Sequence, residues 1–190
     1  MDTQNQHYID PKTVAMQPTA MRYGLYWGVA GVLVTLVSYL LGGEVASTGW
    51  DAYNIISSVL SLAITVGVIY YAIKYHRDQE LGGYITTGRC ASLGAFTGIF
   101  AGLISGLFMF IFLNYIAPDY FEKIMEMQRL QLEEGGMSDD QIDAAISMTK
   151  SMYNPIFIAV TSIVGSLIAG AIIGAIVGLF MKRESPRAFS

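Results

Sequence analysis

Residues 94–106 read GAFTGIFAGLISG, and Gly94, Gly98, Gly102 and Gly106 recur at every fourth position. A residue every four keeps to nearly one face of an α-helix, drifting slowly because the true period is 3.6. Glycine in a helix interior costs ~1 kcal/mol against alanine in water. In lipid, breaking the backbone hydrogen bonds costs far more, so a helix persists in spite of its glycines. No hydrophobic drive brings helices together there; close van der Waals packing does, and small residues permit it. The stretch therefore predicts a membrane span whose glycine face meets another backbone.

The flanking sequence agrees. Of 190 residues, 53% are hydrophobic and 14% charged, against about 25% charged in a soluble domain. Tyr23–Gly43, Ala52–Ile73, Cys90–Pro118 and Ser151–Met181 contain no Asp, Glu, Lys, Arg or His. Each is long enough for a bilayer core, which needs roughly 20 apolar residues, and none has the polar face of a surface helix. The expected fold is an all-α membrane protein with four transmembrane helices, at about 21–41, 53–76, 87–116 and 155–182, in one domain over 21–183. A polar tail, 1–20, is expected to be largely disordered, and 184–190 forms a second tail. The polar lead before the first span is unlike that of a cleaved signal, which has a short apolar region after a basic start.

The fourth span carries a matching stripe, Ser162, Ser166, Gly170, Gly174 and Gly178. The first has Gly24 and Gly28, and the second Ser57, Ser61 and Thr65. The simplest reading packs Gly94, Gly98, Gly102 and Gly106 against Ser166, Gly170, Gly174 and Gly178, with the first two spans alongside and Phe100 on the opposite face. The rival reading has one stripe join two copies of the chain. A glycine-lined pore has little support, because the rest of the helix is Phe, Leu and Ile.

Residues 117–154 form the one long polar segment, expected to be an amphipathic helical hairpin. Phe121, Ile124, Met125 and Leu132 share helical spacing, Gly135-Gly136 breaks the run, and Ser138 to Gln141 reads as a capping box. Orientation follows from the basic residues near the spans. Lys12, Arg22, Lys74, Arg77, Arg89, Lys182, Arg183 and Arg187 fall on one side, and Lys123, Arg129 and Lys150 on the other. There they are diluted by Asp119, Glu122, Glu126, Glu133, Glu134, Asp139, Asp140 and Asp143. This predicts cytoplasmic termini and an extracytoplasmic acidic hairpin.

Signs of chemistry are sparse. No ionisable residue lies well inside a span, which argues against a proton-coupled transporter, and HExxH is missing. Cys90 is the sole cysteine, so no internal disulfide can form. Ser147 and Lys150 have S-x-x-K spacing but read more simply as solvated hairpin residues. Met125, Met127, Met137, Met148 and Met152 read as packing rather than a copper site. His76-Arg77-Asp78 reads as interfacial charge, and Asn114 and Asn154 as a structural pair across helices. No enzymatic activity, catalytic residue, metal or cofactor is expected. A net charge of −4 disfavours nucleic acid as a partner.

ELGGYITTG at 80–88, NYIAPDYFEK at 114–123, NPIF at 154–157 and the Tyr23-Gly24 pair together resemble domain of unknown function 4199. This is a family of small four-helix membrane proteins common in Bacteroidota. The resemblance covers roughly 20–183. It implies four spans with a long loop before the last, a bacterial inner membrane, and no established activity. The favoured role is a non-enzymatic membrane scaffold or accessory protein that presents the acidic hairpin to an envelope partner. The alternative is a subunit of an oligomeric channel or transporter, which hydroxyls of the second and fourth spans facing a shared cavity would favour. Expected partners are the lipid bilayer, an envelope protein and further copies of the chain.

Overall fold

The computed structural model describes residues 13–41, 52–152 and 155–183. Among the described residues six α-helices follow one another: α1 (Gln17–Leu40), α2 (Ala52–Tyr75), α3 (Thr87–Ile111), α4 (Tyr120–Glu134), α5 (Asp139–Met152) and α6 (Pro155–Met181). Wider π-helical turns extend α2 over His76–Glu80 and α3 over Phe112–Ile116. Four of these helices, α1, α2, α3 and α6, are long and apolar enough to cross a membrane. Expectations for residues 1–12, 42–51, 184–190 and Asn154 lie outside the described residues.

Local chemistry explains the boundaries. Pro18 stands in the first turn of α1, where its missing N–H costs nothing, and the helix starts at Gln17, inside the segment expected to be a tail. The second helix runs to Glu80, four residues past the expected end. Gly82 and Gly83 then turn the chain with φ of 63° and 94°, a region that favours glycine. The Thr86 hydroxyl caps α3, accepting from the Arg89 N–H at 3.3 Å. Ile85 and Arg183 exchange backbone hydrogen bonds of 3.0 Å, tying the α2–α3 turn to the end of α6.

Helix α3 lies between two partners. Against α6 the backbones nearly touch: a β-carbon added at Gly102 would stand 2.6 Å from Ile163 Cα, and one at Gly174 2.5 Å from the Cys90 carbonyl oxygen. At Gly94, Gly98 and Gly170 it would land on the carbonyl oxygens of Gly170, Ser166 and Gly94. At Gly106 and Gly178 it would come 3.1 Å from Ala159 Cα and 2.8 Å from Cys90 Cβ. On another side, α3 meets α1, where Gly24 and Gly28 approach Phe100 and Ile104. Phe100 is therefore half-buried against α1 rather than on a free face. Large side chains point outward instead, in stripes such as Leu25, Val29, Leu33 and Val37 on α1 and Val164, Ile168, Ile172 and Ile176 on α6. Small residues inside and large ones outside is the arrangement that suits a lipid solvent.

The hairpin forms as two helices broken at Gly135-Gly136, with Gly136 at φ 75°. Gln141 reaches back to accept from the Ser138 N–H at 3.2 Å, one half of the capping box. At its root, Phe112 and Tyr120 are buried with Ala117. The Phe112 ring meets those of Tyr39, Tyr120 and Phe108 at 5.1, 5.4 and 5.6 Å.

Candidate functional site

Between the four long helices lies a cavity of about 220 Å³, lined by Gly31, Val32, Val34, Thr35, Ser61, Ser105, Phe108, Met109 and Ser162. Each helix contributes one hydroxyl: Thr35 from α1, Ser61 from α2, Ser105 from α3 and Ser162 from α6. Two backbone features open the space. Gly31 has nothing within 4 Å of where a β-carbon would be, so its missing side chain leaves room. The close α3–α6 contact at Gly102 and Ile163 brings Ser162 and Ser105 to one wall. Ser61 is exposed, and α2, which carries it, packs more loosely than the other long helices. Val34 also lines an apolar groove of about 320 Å³ between α1 and α2, which leads off toward Leu41.

Among the described residues no ionisable side chain lines the cavity. Bringing a unit charge into such a place costs, in the idealised Born limit, of order 20 kcal/mol, so the walls suit a neutral guest. Hydroxyls can satisfy themselves on their own helix or on a guest, and both donate and accept. A volume of about 220 Å³ accommodates several waters, since one needs only about 10–15 Å³ of such space.

A second polar assembly sits at the end of the bundle where α2 stops. His76 is fully buried. Its Nδ1 faces the Glu80 carboxylate, and its Nε2 lies 3.1 Å from Arg89 Nε. A guanidinium only donates, so Nε2 must accept, and the ring hydrogen belongs on Nδ1, pointing at Glu80. The Thr19 hydroxyl lies 2.7 and 2.9 Å from the two Glu80 oxygens and donates to the carboxylate. Arg89 also donates to the Val14 carbonyl at 2.6 Å. The network closes α1, α2 and α3 on one another with its charges opposed. A sequence reading that ends the second helix at His76 misses it, because the π-helical turn is what carries Glu80 back over the ring.

Other candidates are not assembled. Ser147 and Lys150 are both exposed on α5. Met125 is buried, whereas Met137 and Met148 are exposed, and the Met152 side chain lies outside the described residues. Asn114 donates to the Phe110 carbonyl of its own helix at 2.8 Å. Among the described residues no group of three or more His, Cys, Asp or Glu could hold a metal ion.

Four apolar helices of spanning length around a neutral, hydroxyl-lined centre give this chain the form of a multi-pass membrane protein. The chain belongs to the family described as protein of unknown function (DUF4199), whose profile matches residues 22–183. No curated protein and no solved structure matches it.

Proposed function

We propose that this protein holds a small, uncharged, polar solute within the membrane, as a channel or transporter subunit does. The observation that carries the reading is the ring of Thr35, Ser61, Ser105 and Ser162, one hydroxyl from each span, around a cavity without charge. A hydroxyl left without a partner in an apolar medium costs ~1–3 kcal/mol by protein mutational data, which favours a guest that can exchange hydrogen bonds with all four. The stripes Gly94–Gly106 and Ser166–Gly178 supply the rigid wall, and α2 is the loosely held element that can admit the guest. The excess of basic residues beside one end of the spans supports cytoplasmic termini and a hairpin on the far side of a bacterial inner membrane.

Stopped-flow light scattering on proteoliposomes tests the reading with glycerol or urea as osmolyte. The purified protein should raise permeation above that of empty vesicles. Gly31→Leu, which fills the cavity from an unobstructed position, should remove the increment while the protein stays folded. Permeation equal to that of empty vesicles for the unaltered protein contradicts the proposal.

A scaffold role keeps one specific support: Asp119, Glu122, Glu126, Glu133, Glu134, Asp139, Asp140 and Asp143 are all exposed, a surface suited to a basic envelope partner. Amide replacement of the eight should then abolish that association and leave solute permeation unchanged.

A further inference from the structure

At the basic end of the bundle, α1 and α2 frame a pocket of about 200 Å³, lined by Tyr23, Tyr71, Lys74, Tyr75, Asp78 and Gln79. It lies apart from the hydroxyl cavity and uses none of the same residues. Three of its walls are tyrosines, two of them, Tyr23 and Tyr75, with ring centroids 6.1 Å apart. The Arg22 guanidinium lies over both, at 6.0 Å from Tyr23 and 5.4 Å from Tyr75, and over Tyr26 at 6.0 Å. Such stacking holds the cation at the pocket's edge. Asp78, the one carboxylate lining it among the described residues, is taken up by Arg77 through bonds of 2.6 and 3.1 Å. Of the charged residues Lys74 and Asp78 line the pocket, and Arg22 and Arg77 stand beside them, so its surroundings carry an excess of positive charge, with Lys74 exposed.

We infer that this pocket binds the phosphate-bearing head of an anionic phospholipid. Its position at the ends of two spans is the depth at which headgroups and tyrosine belts lie. Toward the midplane α2 exposes Val66 and Leu62, apolar surface for the acyl chains. The Lys74 ammonium and the Arg22 guanidinium supply charge to the phosphate diester, and the tyrosine hydroxyls can donate to its oxygens or to a polyol head. An isolated cation near an anionic membrane surface is already drawn to it; two cations around one walled pocket add position to that attraction and favour an anionic over a zwitterionic head. The site rests on membrane embedding but not on solute passage, so its test reads lipid retention alone.

Native mass spectrometry of the detergent-purified protein, offered an equimolar mixture of phosphatidylglycerol and phosphatidylethanolamine, tests the assignment. The unaltered protein should retain phosphatidylglycerol in preference, and Lys74→Gln with Arg22→Gln should reduce that retention at least tenfold. Arg187→Gln, another cation of the same end by sequence, should change it less than twofold. An unchanged melting temperature in the double variant shows that the fold survives. Equal retention of the two lipids, or retention indifferent to the double variant, overturns the proposal. So does displacement of the lipid by millimolar inorganic phosphate, which would make the site one for a soluble anion.

Discussion

For single residues, the α3–α6 contact depends on what is missing from Cα. Gly174 and Gly165 stand on the same helix, yet a β-carbon at Gly174 would sit 2.5 Å from a backbone oxygen of α3, and one at Gly165 would meet nothing within 4 Å. Gly174→Ala is therefore expected to cost ~1–3 kcal/mol by overpacking, while Gly165→Ala leaves thermal stability in detergent unchanged. Equal melting temperatures for the two variants would mean that the helices do not meet along this stripe. If the stripe joined two copies instead, Gly174→Ala would dissociate an oligomer while the monomer stayed folded; size-exclusion chromatography with light scattering separates the outcomes. The buried network offers a parallel contrast. Glu80→Ala leaves His76 Nδ1 and the Thr19 hydroxyl without their shared acceptor, a change that costs about 3–5 kcal/mol for a fully buried pair and less for this partly exposed one. Asp78→Ala removes an exposed ion pair worth about 0–1 kcal/mol. A melting temperature lowered as much by the second variant as by the first would count against the network as a clamp.

Among elements, the hairpin and the second span behave differently from the glycine-packed pair. The hairpin hangs from a ring cluster: Phe112 is fully buried and touches three aromatic rings. Phe112→Ala should cost ~3–5 kcal/mol. Replacement of 123–151 by a short Gly/Ser linker keeps Tyr120 and that cluster, and should leave an inserted, detergent-stable protein. A shortened chain that fails to insert would make the hairpin part of the fold. The sequence carried the helix positions well, because lipid imposes long apolar runs and because Pro18, Gly82-Gly83, Thr86 and Gly135-Gly136 mark ends by their own backbone preferences. It carried the end of α2 less well, whereas α3 with its π-helical turn ends at Ile116 as expected. A π-helical turn has no residue signature, and Glu80 looks like loop charge until His76 and Thr19 are seen beside it. Phe100 illustrates the same limit: its helical phase excludes it from the glycine face but does not say that α1 covers it.

For the whole molecule, the four helices form a bundle that is tight on one side and looser on the other. α3 meets α1 and α6 through glycines, and α2 closes the bundle over a hydroxyl-lined space. The cavity was only partly legible in the sequence. Ser61 and Ser162 belong to stripes that periodicity reveals, but Thr35 and Ser105 join them only through the crossing of four helices, and an open Gly31 reads like any packing glycine. A solute site here requires above all that this space be hydrated and reachable from water although it lies within the spans. Cysteine modification measures that directly. In a Cys90→Ala background, Ser61→Cys and Ser105→Cys should react with a small, neutral, water-soluble thiol reagent in intact proteoliposomes, at least tenfold faster than Leu107→Cys on the exposed apolar face of α3. Gly31→Leu should suppress the reaction at Ser105→Cys. Rates at Ser61→Cys and Ser105→Cys no faster than at Leu107→Cys would show that the space is dry, and no polar solute could then be held there.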